Sequence, residues 1–475
     1  MSPQHAHPLT ILTHLWRVFY LTIIPVIRGF MGAVRGDFSA WLRGAWIDIG
    51  ILLIMVAGAV WSWRRVTYTL EDEGIRIASG LLRRHDTRIP WDKIVTLSVA
   101  HPFFLRPLRG AYLRADTLGG SFKDADFTIL LTPRQAAQVW ERLEERDASV
   151  SGKVYTPSTS SIVALALLTS NAFAGVVFIA TLVSQSGKLL GQEFSERILG
   201  TMETLTRQLA FGIPYSAAML AYLLLFGWLY AFVQSFLNYK NMRVFRRRHT
   251  LLIRGGLLTR REYCIDAGDI NFLDIRQSVS TKLLHLYSLY ISAVGYGKQK
   301  DDISCVIPTA KGEVFNTHHH QLFPGFDASP RQLTPKKTIF RFIGQPLAWC
   351  LGSPAATALL CWLFPGWRSF ILFLGLMLLA PGLVLMVVRL LDYRTSGVSC
   401  DGISYTLRYS KGFYIHTVIV PKGKVVLVQL RQSPFQRRNG SCDLLVYTQA
   451  EGRSVHTCRG LPLHELQDFF HINNQ

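Results

Sequence analysis

The chain has 475 residues, 49% of them apolar and only 17% charged, with a formal net charge of +20. That length argues against one small domain, and that balance is more hydrophobic than a soluble protein needs, so membrane-crossing segments are expected. The basic excess fits nucleic acid, an anionic membrane surface or cytoplasmic loops, and composition alone does not choose among them.

His5 and His7 open the chain in a stretch that reads as solvated or disordered. Leu12 to Val34 follows, apolar but interrupted by Arg17, Pro25 and Arg28. It is read as a span because it would complete a hairpin with Trp46 to Trp63, where Asp48 lies near one end. No small-residue cleavage signature follows it, so it is not read as a removed signal peptide. The next region carries strand-like runs: "VTYTL" (66–70), "GIRIA" (74–78), "KIVTLSV" (93–99), "AYLRAD" (111–116) and "FTILL" (127–131). Then "TPRQAAQVWERLEERDA" reads as a helix, capped by Thr132 and apolar along Ala136, Val139, Trp140 and Leu143.

Two spans come next, Ser161 to Val183 and Ala210 to Phe236. After a second polar region, Pro346 to Phe364 and Ser369 to Val388 form a third pair, joined only by Pro365, Gly366, Trp367 and Arg368. Each has the roughly 20 apolar residues that a bilayer core requires. Lysine and arginine number 15 over residues 64–159, 17 over 237–344 and 11 over 389–475, against three in the connection 184–209. With basic clusters at Arg64-Arg65, Arg243 with Arg246 to Arg248, and Arg389 with Arg394 flanking span ends, all three polar regions are expected in the cytoplasm.

A short stretch recurs in these regions. "SGLLRRHDTRIPWDKI" (79–94) aligns with "GGLLTRREYCIDAGDI" (255–270), and "SKGFYIHTVIVPKGKV" (410–425) follows if its loop has lost one residue. Ile94, Ile270 and Val425 then coincide, and "RQS" at 276–278 meets "RQS" at 431–433. The repeating unit is a hydrophobic hairpin followed by a strand-rich domain closed by one amphipathic helix.

"YTLEDEGIRIASGLLRRHDTRIPWDKI", directly after an apolar helix, resembles the bacterial pleckstrin-homology (PH) domains of the membrane-anchored kind. Three of them separated by helix pairs is the layout of the YdbT-like membrane proteins. The resemblance implies an α+β membrane protein with three PH-like split β-barrels, each with a C-terminal helix, attached to about six transmembrane helices in hairpins. The expected organisation is a membrane segment over 1–63, domain 1 over 64–150, a helix pair over 160–236, domain 2 over 237–327, a hairpin over 345–390 and domain 3 over 391–475. It implies no enzymatic reaction and supplies no binding residues.

Site chemistry therefore rests on the residues themselves. "THHH" at 317–320 points its imidazoles in different directions, so no metal is expected there. The seven cysteines contain no C-x-x-C pair and read as buried, reduced thiols. No phosphate-binding loop, nucleophile elbow or zinc-protease helix is present, so neither a catalytic residue nor a cofactor is expected. The spans lack the ionisable residues of a pump.

The candidate contacts with an anionic lipid or a partner are Arg83, Arg84 and Arg88; Arg254, Arg260 and Arg261; and Lys422, Lys424, Arg437 and Arg438. Tyr68, Trp91, Phe103 and Phe104 read as core or membrane-facing residues, so nucleic acid is not an expected partner. The leading reading is a non-enzymatic scaffold of the bacterial inner membrane that binds an anionic phospholipid or another membrane protein, such as a small relative with a single PH-like domain. The alternative is a lipid-handling or small-molecule transport component regulated by its PH-like domains.

Overall fold

The structure is a computed structural model that describes residues 4–11, 46–79, 85–119, 125–144, 152–170, 196, 200–201, 204, 215–297, 303–335, 339–449 and 454–470. Three times the chain passes through an apolar helix, three strands, a single 3-10 turn and three more strands to a closing helix. Strand β1 (Gln4–His5) precedes the first pass, which runs α1 (Trp46–Arg65), β2 (Thr67–Leu70), β3 (Gly74–Ser79), β4 (His85–Pro90), the turn Trp91–Lys93, β5 (Ile94–Pro102), β6 (Ala111–Thr117), β7 (Phe127–Leu131) and α2 (Pro133–Glu144).

After β8 (Lys153–Tyr155) and α3 (Thr159–Thr169), the second pass runs α4 (Tyr215–Tyr239), β9 (Arg243–Arg246), β10 (Thr250–Gly255), β11 (Thr259–Asp266), the turn Ala267–Asp269, β12 (Ile270–Gln277), α5 (Val279–Leu283), β13 (Leu286–Ala293), β14 (Cys305–Lys311) and α6 (Gly312–Leu322). The third has the hairpin α7 (Ile339–Leu363) and α8 (Arg368–Thr395), then β15 (Gly397–Cys400), β16 (Ser404–Lys411), β17 (Tyr414–Pro421), the turn Lys422–Lys424, β18 (Val425–Arg431), α9 (Pro434–Arg438), β19 (Ser441–Thr448), β20 (Ser454–Pro462) and α10 (Leu463–Phe469).

Several recurrent residues have a structural cause. Gly256 (φ 96°) and Gly412 (φ 59°) both turn the chain into the third strand of their pass through a backbone conformation that side chains disfavour. The equivalent Gly80 lies outside the described residues. Both "RQS" tripeptides end a strand and start a short helix. Ser278 and Ser433 accept from the amides of Thr281 and Gln436 in reciprocal capping boxes. The preceding glutamines, Gln277 and Gln432, donate to the carbonyls of Leu286 and Ser441, at 2.9 and 2.8 Å.

The molecule divides into two compact units, residues 1–152 with 247–252 and 258–268, and residues 153–246, 253–257 and 269–475. In the first unit β1-β2-β3-β4 form one antiparallel sheet, and β6 binds β5 and β7 in another. Alternation buries Ala111, Leu113 and Ala115 on one face of β6, while Tyr112 and Arg114 are half-buried on the other. At the start of α2 the Thr132 and Gln135 side chains cap each other's amides, at 3.4 and 3.0 Å. The N-terminal stretch corrects the expectation of a solvated tail. Gln4 and His5 pair with Tyr68 and Thr67, the His7 amide donates to Leu130 O at 2.8 Å, and Trp63 Nε1 donates to Ala6 O at 2.7 Å. These bonds leave Ala6 buried.

In the second unit the third pass encloses a core between β15-β16-β17 and β18-β19-β20. Val398, Leu407, Val418, Leu444, Cys458 and Leu461 fill it, and Leu466 of α10 closes it. Burying each of the larger side chains contributes about 2 kcal/mol. Below it α7 and α8 turn at Pro365–Trp367 and lie close together, so that a Cβ on Gly375 would fall 2.3 Å from Thr357 Oγ1 and one on Gly382 2.4 Å from Trp349 Cδ1.

Among the described residues, three helices are long and apolar enough to cross a bilayer: Ala218–Tyr239, Ile339–Leu363 and Pro365–Thr395. Helix α1 adds 20 largely apolar residues. The expected span Leu12 to Val34, and Ser161 to Val183 beyond Ser170, lie outside the described residues.

Separate barrels would each keep their strands to themselves, and these do not. In the first unit β11, from the second pass, pairs antiparallel with β5 from Thr259–Pro102 to Ile265–Thr96. In the second unit β17, from the third pass, pairs in the same way with β12, from Leu273–Ile419 to Gln277–Ile415. The sheet there is continuous through six strands, β14-β13-β12-β17-β16-β15.

Candidate functional site

The basic residues singled out in the sequence are not gathered in one place. Arg83 and Arg84 lie outside the described residues. Arg88 Nη2 donates to Glu73 at 2.8 Å and its Nε lies 3.1 Å from Glu71, so the acidic turn before β3 answers its charge. Arg260 is 3.0 Å from Glu262, and Arg261 is buried. Both sit in the β11–β5 pairing, opposite His101 and Ala100. Their strand is therefore covered on one side by β5.

Arg254 lies over the Phe245 ring, with 5.9 Å to the centroid. Lys424 reaches Asp269 at 3.3 Å, and Lys422 sits 5.6 Å from the Tyr405 centroid. Arg437 and Arg438 are exposed on α9.

Helix α9 borders a feature that the clusters did not reveal. A cavity of about 650 Å³ opens at the base of the α7–α8 hairpin, lined by Phe340, Arg341, Arg389, Phe435, Gln436 and Arg459, among others. Each arginine comes from a different element. Arg341 is in the first turn of α7, Arg389 near the end of α8, and Arg459 on β20.

Two acids behind the wall hold them. Asp443 accepts from Arg341 Nε at 3.1 Å, from Gln436 Nε2 at 2.7 Å and from the Gly460 amide at 3.0 Å. Asp392 lies 3.7 Å from Arg389 and 3.6 Å from Arg459, and accepts from Ser410 Oγ at 2.6 Å. Three guanidinium groups against two carboxylates leave one positive charge in excess. Arg459 Nη1 is buried without a hydrogen bond, and the acid it faces is Asp392, 3.6 Å away. Phe340 and Phe435 line the cavity, 77% and 80% exposed.

The bacterial PH domain matches this chain three times, over residues 20–147, 197–317 and 356–474. The chain belongs to the bacterial PH domain family. It is similar along its length to the UPF0699 transmembrane protein YdbT of Bacillus subtilis (strain 168), with 23% identity over 471 residues covering 92% of this chain and 91% of that protein. No solved structure matches it. Together with its apolar helices, this makes it a membrane protein with repeated bacterial PH domains.

Where the second and third PH repeats share a sheet, the interior is polar. Asp274 of β12 accepts from His416 Nδ1 of β17 at 2.9 Å and from Arg276 Nε at 2.6 Å. Arg276 lies 4.0 Å from the Tyr290 ring centroid. His416 stacks on Tyr409, whose hydroxyl meets His456 Nδ1 at 2.8 Å, and His456 Nε2 reaches Thr448 at 3.2 Å. Burial alone would push the Asp274 carboxyl up, but His416 and Arg276 outweigh it and hold it below its usual value. Burial pushes the His456 imidazole down to about 4.

The three histidines of "THHH" go three ways within α6. His318 lies against Tyr155, His319 is buried against Phe315, and exposed His320 meets Asp327 at 2.8 Å. His319, His320 and Asp327 place ligand atoms within 4.8 Å of one another, with the His320–Asp327 pair already joined by a hydrogen-bond distance. Of the cysteines, Cys264, Cys305, Cys442 and Cys458 are buried, and all seven are free thiols.

Proposed function

We propose that the protein is a non-enzymatic, multi-pass scaffold of the bacterial inner membrane, with its PH-like domains in the cytoplasm and the cavity at the hairpin base holding the headgroup of an anionic phospholipid. The observation that carries this reading is the excess arginine charge, three guanidinium groups against two carboxylates, placed where two apolar helices end and two exposed phenylalanines stand. Basic pockets between helix ends suit anionic headgroups, and aromatic rings suit the bilayer interface. Headgroup binding would fix the third repeat against the bilayer and leave the domain surfaces for a membrane-protein partner. The middle turns of α7 and α8 carry no ionisable residue, which favours a scaffold over an ion-coupled carrier.

The test is native mass spectrometry of the full chain purified from nanodiscs containing phosphatidylglycerol and phosphatidylcholine. Selective retention of phosphatidylglycerol is expected. Phe435→Glu, at an exposed position, should weaken it roughly tenfold, a change of about 1.4 kcal/mol, and Arg459→Gln should weaken it further. Equal retention of both lipids, or retention indifferent to both substitutions, would refute the headgroup site.

A further inference from the structure

The two junctions between repeats follow one rule. Leu97 faces Cys264 and Leu273 faces Ile419. In each case the first residue lies three beyond the start of its strand, at Ile94 or Ile270, and its partner lies six before the equivalent residue of the next repeat, Ile270 or Val425. The receiving strands are marked alike, because β5, β12 and β18 all carry a bulge between their first and third residues. The rule therefore has a third receiving strand, and among the described strands β18 pairs with β19 alone.

Its bare side shows in exposure. Val426 and Leu427 are 69% and 52% exposed, whereas their equivalents Val95 and Thr96 are 2% and 1% exposed, and Asn271 and Phe272 0% and 9%. An exposed apolar edge is a ready template for another strand. At the other end of the series, β4 is the third strand of the first repeat, the place that β11 and β17 hold in theirs. Among the described strands it is the last of its sheet and pairs with β3 only. Among the described strands, the third repeat thus offers a receiver without a donor, and the first a donor without a receiver.

We propose that β18 of one chain receives β4 of a second copy, antiparallel and in the register of the two internal junctions, so that the protein assembles head to tail in the membrane. The register sets Val428 opposite Arg88 and Leu427 opposite Ile89. The charge on β4 is no obstacle, since β11 pairs along its length while carrying Arg260, Arg261 and Glu262. Each repeat follows its own apolar helix. The interface is heterologous, and it closes into a ring or continues as a filament.

Directly opposed residues in an antiparallel pair have Cα atoms about 4.5 to 5.5 Å apart, within disulfide range. Full-length chains with different tags, one bearing Val428→Cys and the other Arg88→Cys, should therefore form a disulfide-linked pair on oxidation in membranes. Thr87→Cys, which points to the other face, should not link to Val428→Cys, and neither should the singly substituted chains alone. In mild detergent the wild-type mass should be a multiple of one chain. Val426→Glu and Leu427→Lys, both at exposed positions, should return it to a single chain without lowering the unfolding midpoint of the dissociated chain. A wild-type mass of one chain at every concentration would overturn the proposal. So would a bond formed only within a chain carrying both cysteines, or capture of a different protein by Val428→Cys.

Discussion

Strands β12 and β18 hold the same place in successive repeats, begin with the same bulge and end in the same Arg-Gln-Ser cap, yet one is enclosed and the other bare on one side. Their own sequences point the opposite way. The enclosed strand reads INFLDIRQ, with Asn271 and Asp274 buried, while the bare one reads VVLVQLR, with Val426 and Leu427 exposed. What differs is the neighbour. Strand β17 arrives with His416 to meet Asp274, whereas Gln429, the residue of β18 in the same position, is exposed and accepts only from Tyr447 Oη of its own repeat, at 3.2 Å. Enclosure here is set by the neighbouring strand and not by the strand's own sequence.

The largest effect should come from removing the polar latch that distinguishes the enclosed strand. Asp274→Ala leaves the His416 ring and the Arg276 guanidinium without their shared acceptor, and breaking a buried pair from one side costs on the order of 3 kcal/mol. The unfolding midpoint in detergent should fall by several degrees. Gln429→Ala, at the equivalent position on the bare strand, should change it by less than about 0.5 kcal/mol. Equal effects from the two substitutions would show that the latch contributes nothing specific to the junction.

Acid should loosen the same region. Asp274 is held below its usual value, so its contribution is complete above the ordinary carboxylate range and is lost as pH falls through the lowered value. His456 acts earlier. Its ring takes a proton near 6.5 when unfolded but only at about 4 when folded, so the unfolded state binds more protons across that interval. Stability is complete above 6.5 and declines toward 4, by at most about 3 kcal/mol from this residue. His319, also pushed down to about 4 by burial, adds to the same window. Unfolding midpoints measured from pH 7 to pH 4 should therefore slope downward, and His456→Gln should flatten part of the slope. An unchanged slope would mean that His456 does not titrate in this window.

Much of the repeat was legible because its signals are local. Apolar runs marked the hairpin α7–α8 with its Pro-Gly turn, and Thr132 marked a helix start. Strand pairing across a junction is not local, and no feature of INFLDIRQ says that β17 will cover it. The cavity was missed for a related reason. A search for runs of charge finds Arg83-Arg84 and Arg437-Arg438, whereas Arg341, Arg389 and Arg459 are far apart in the chain and meet only in the fold. One signal was available, since Arg389 and Asp392 lie one helical turn apart at the end of an apolar span, where an ion pair has to be accommodated by structure. The N-terminal histidines misled because two polar residues looked free of any strand pattern, while Gln4 and His5 pair through their backbones.

The smallest effect tests whether the contrast between β12 and β18 lies in their edges alone. Ser278 and Ser433 cap equivalent helices with the same reciprocal bonds, and neither bond involves the neighbouring repeat. Loss of such a cap costs about 1 kcal/mol. Ser278→Ala and Ser433→Ala should therefore lower the unfolding midpoint by similar small amounts, although one follows an enclosed strand and the other a bare one. Equality would locate the difference between the repeats in strand pairing. A much smaller effect at Ser433 would mean that the end of β18 is already loosened without its neighbour, so that its connector as well as its edge depends on what binds there.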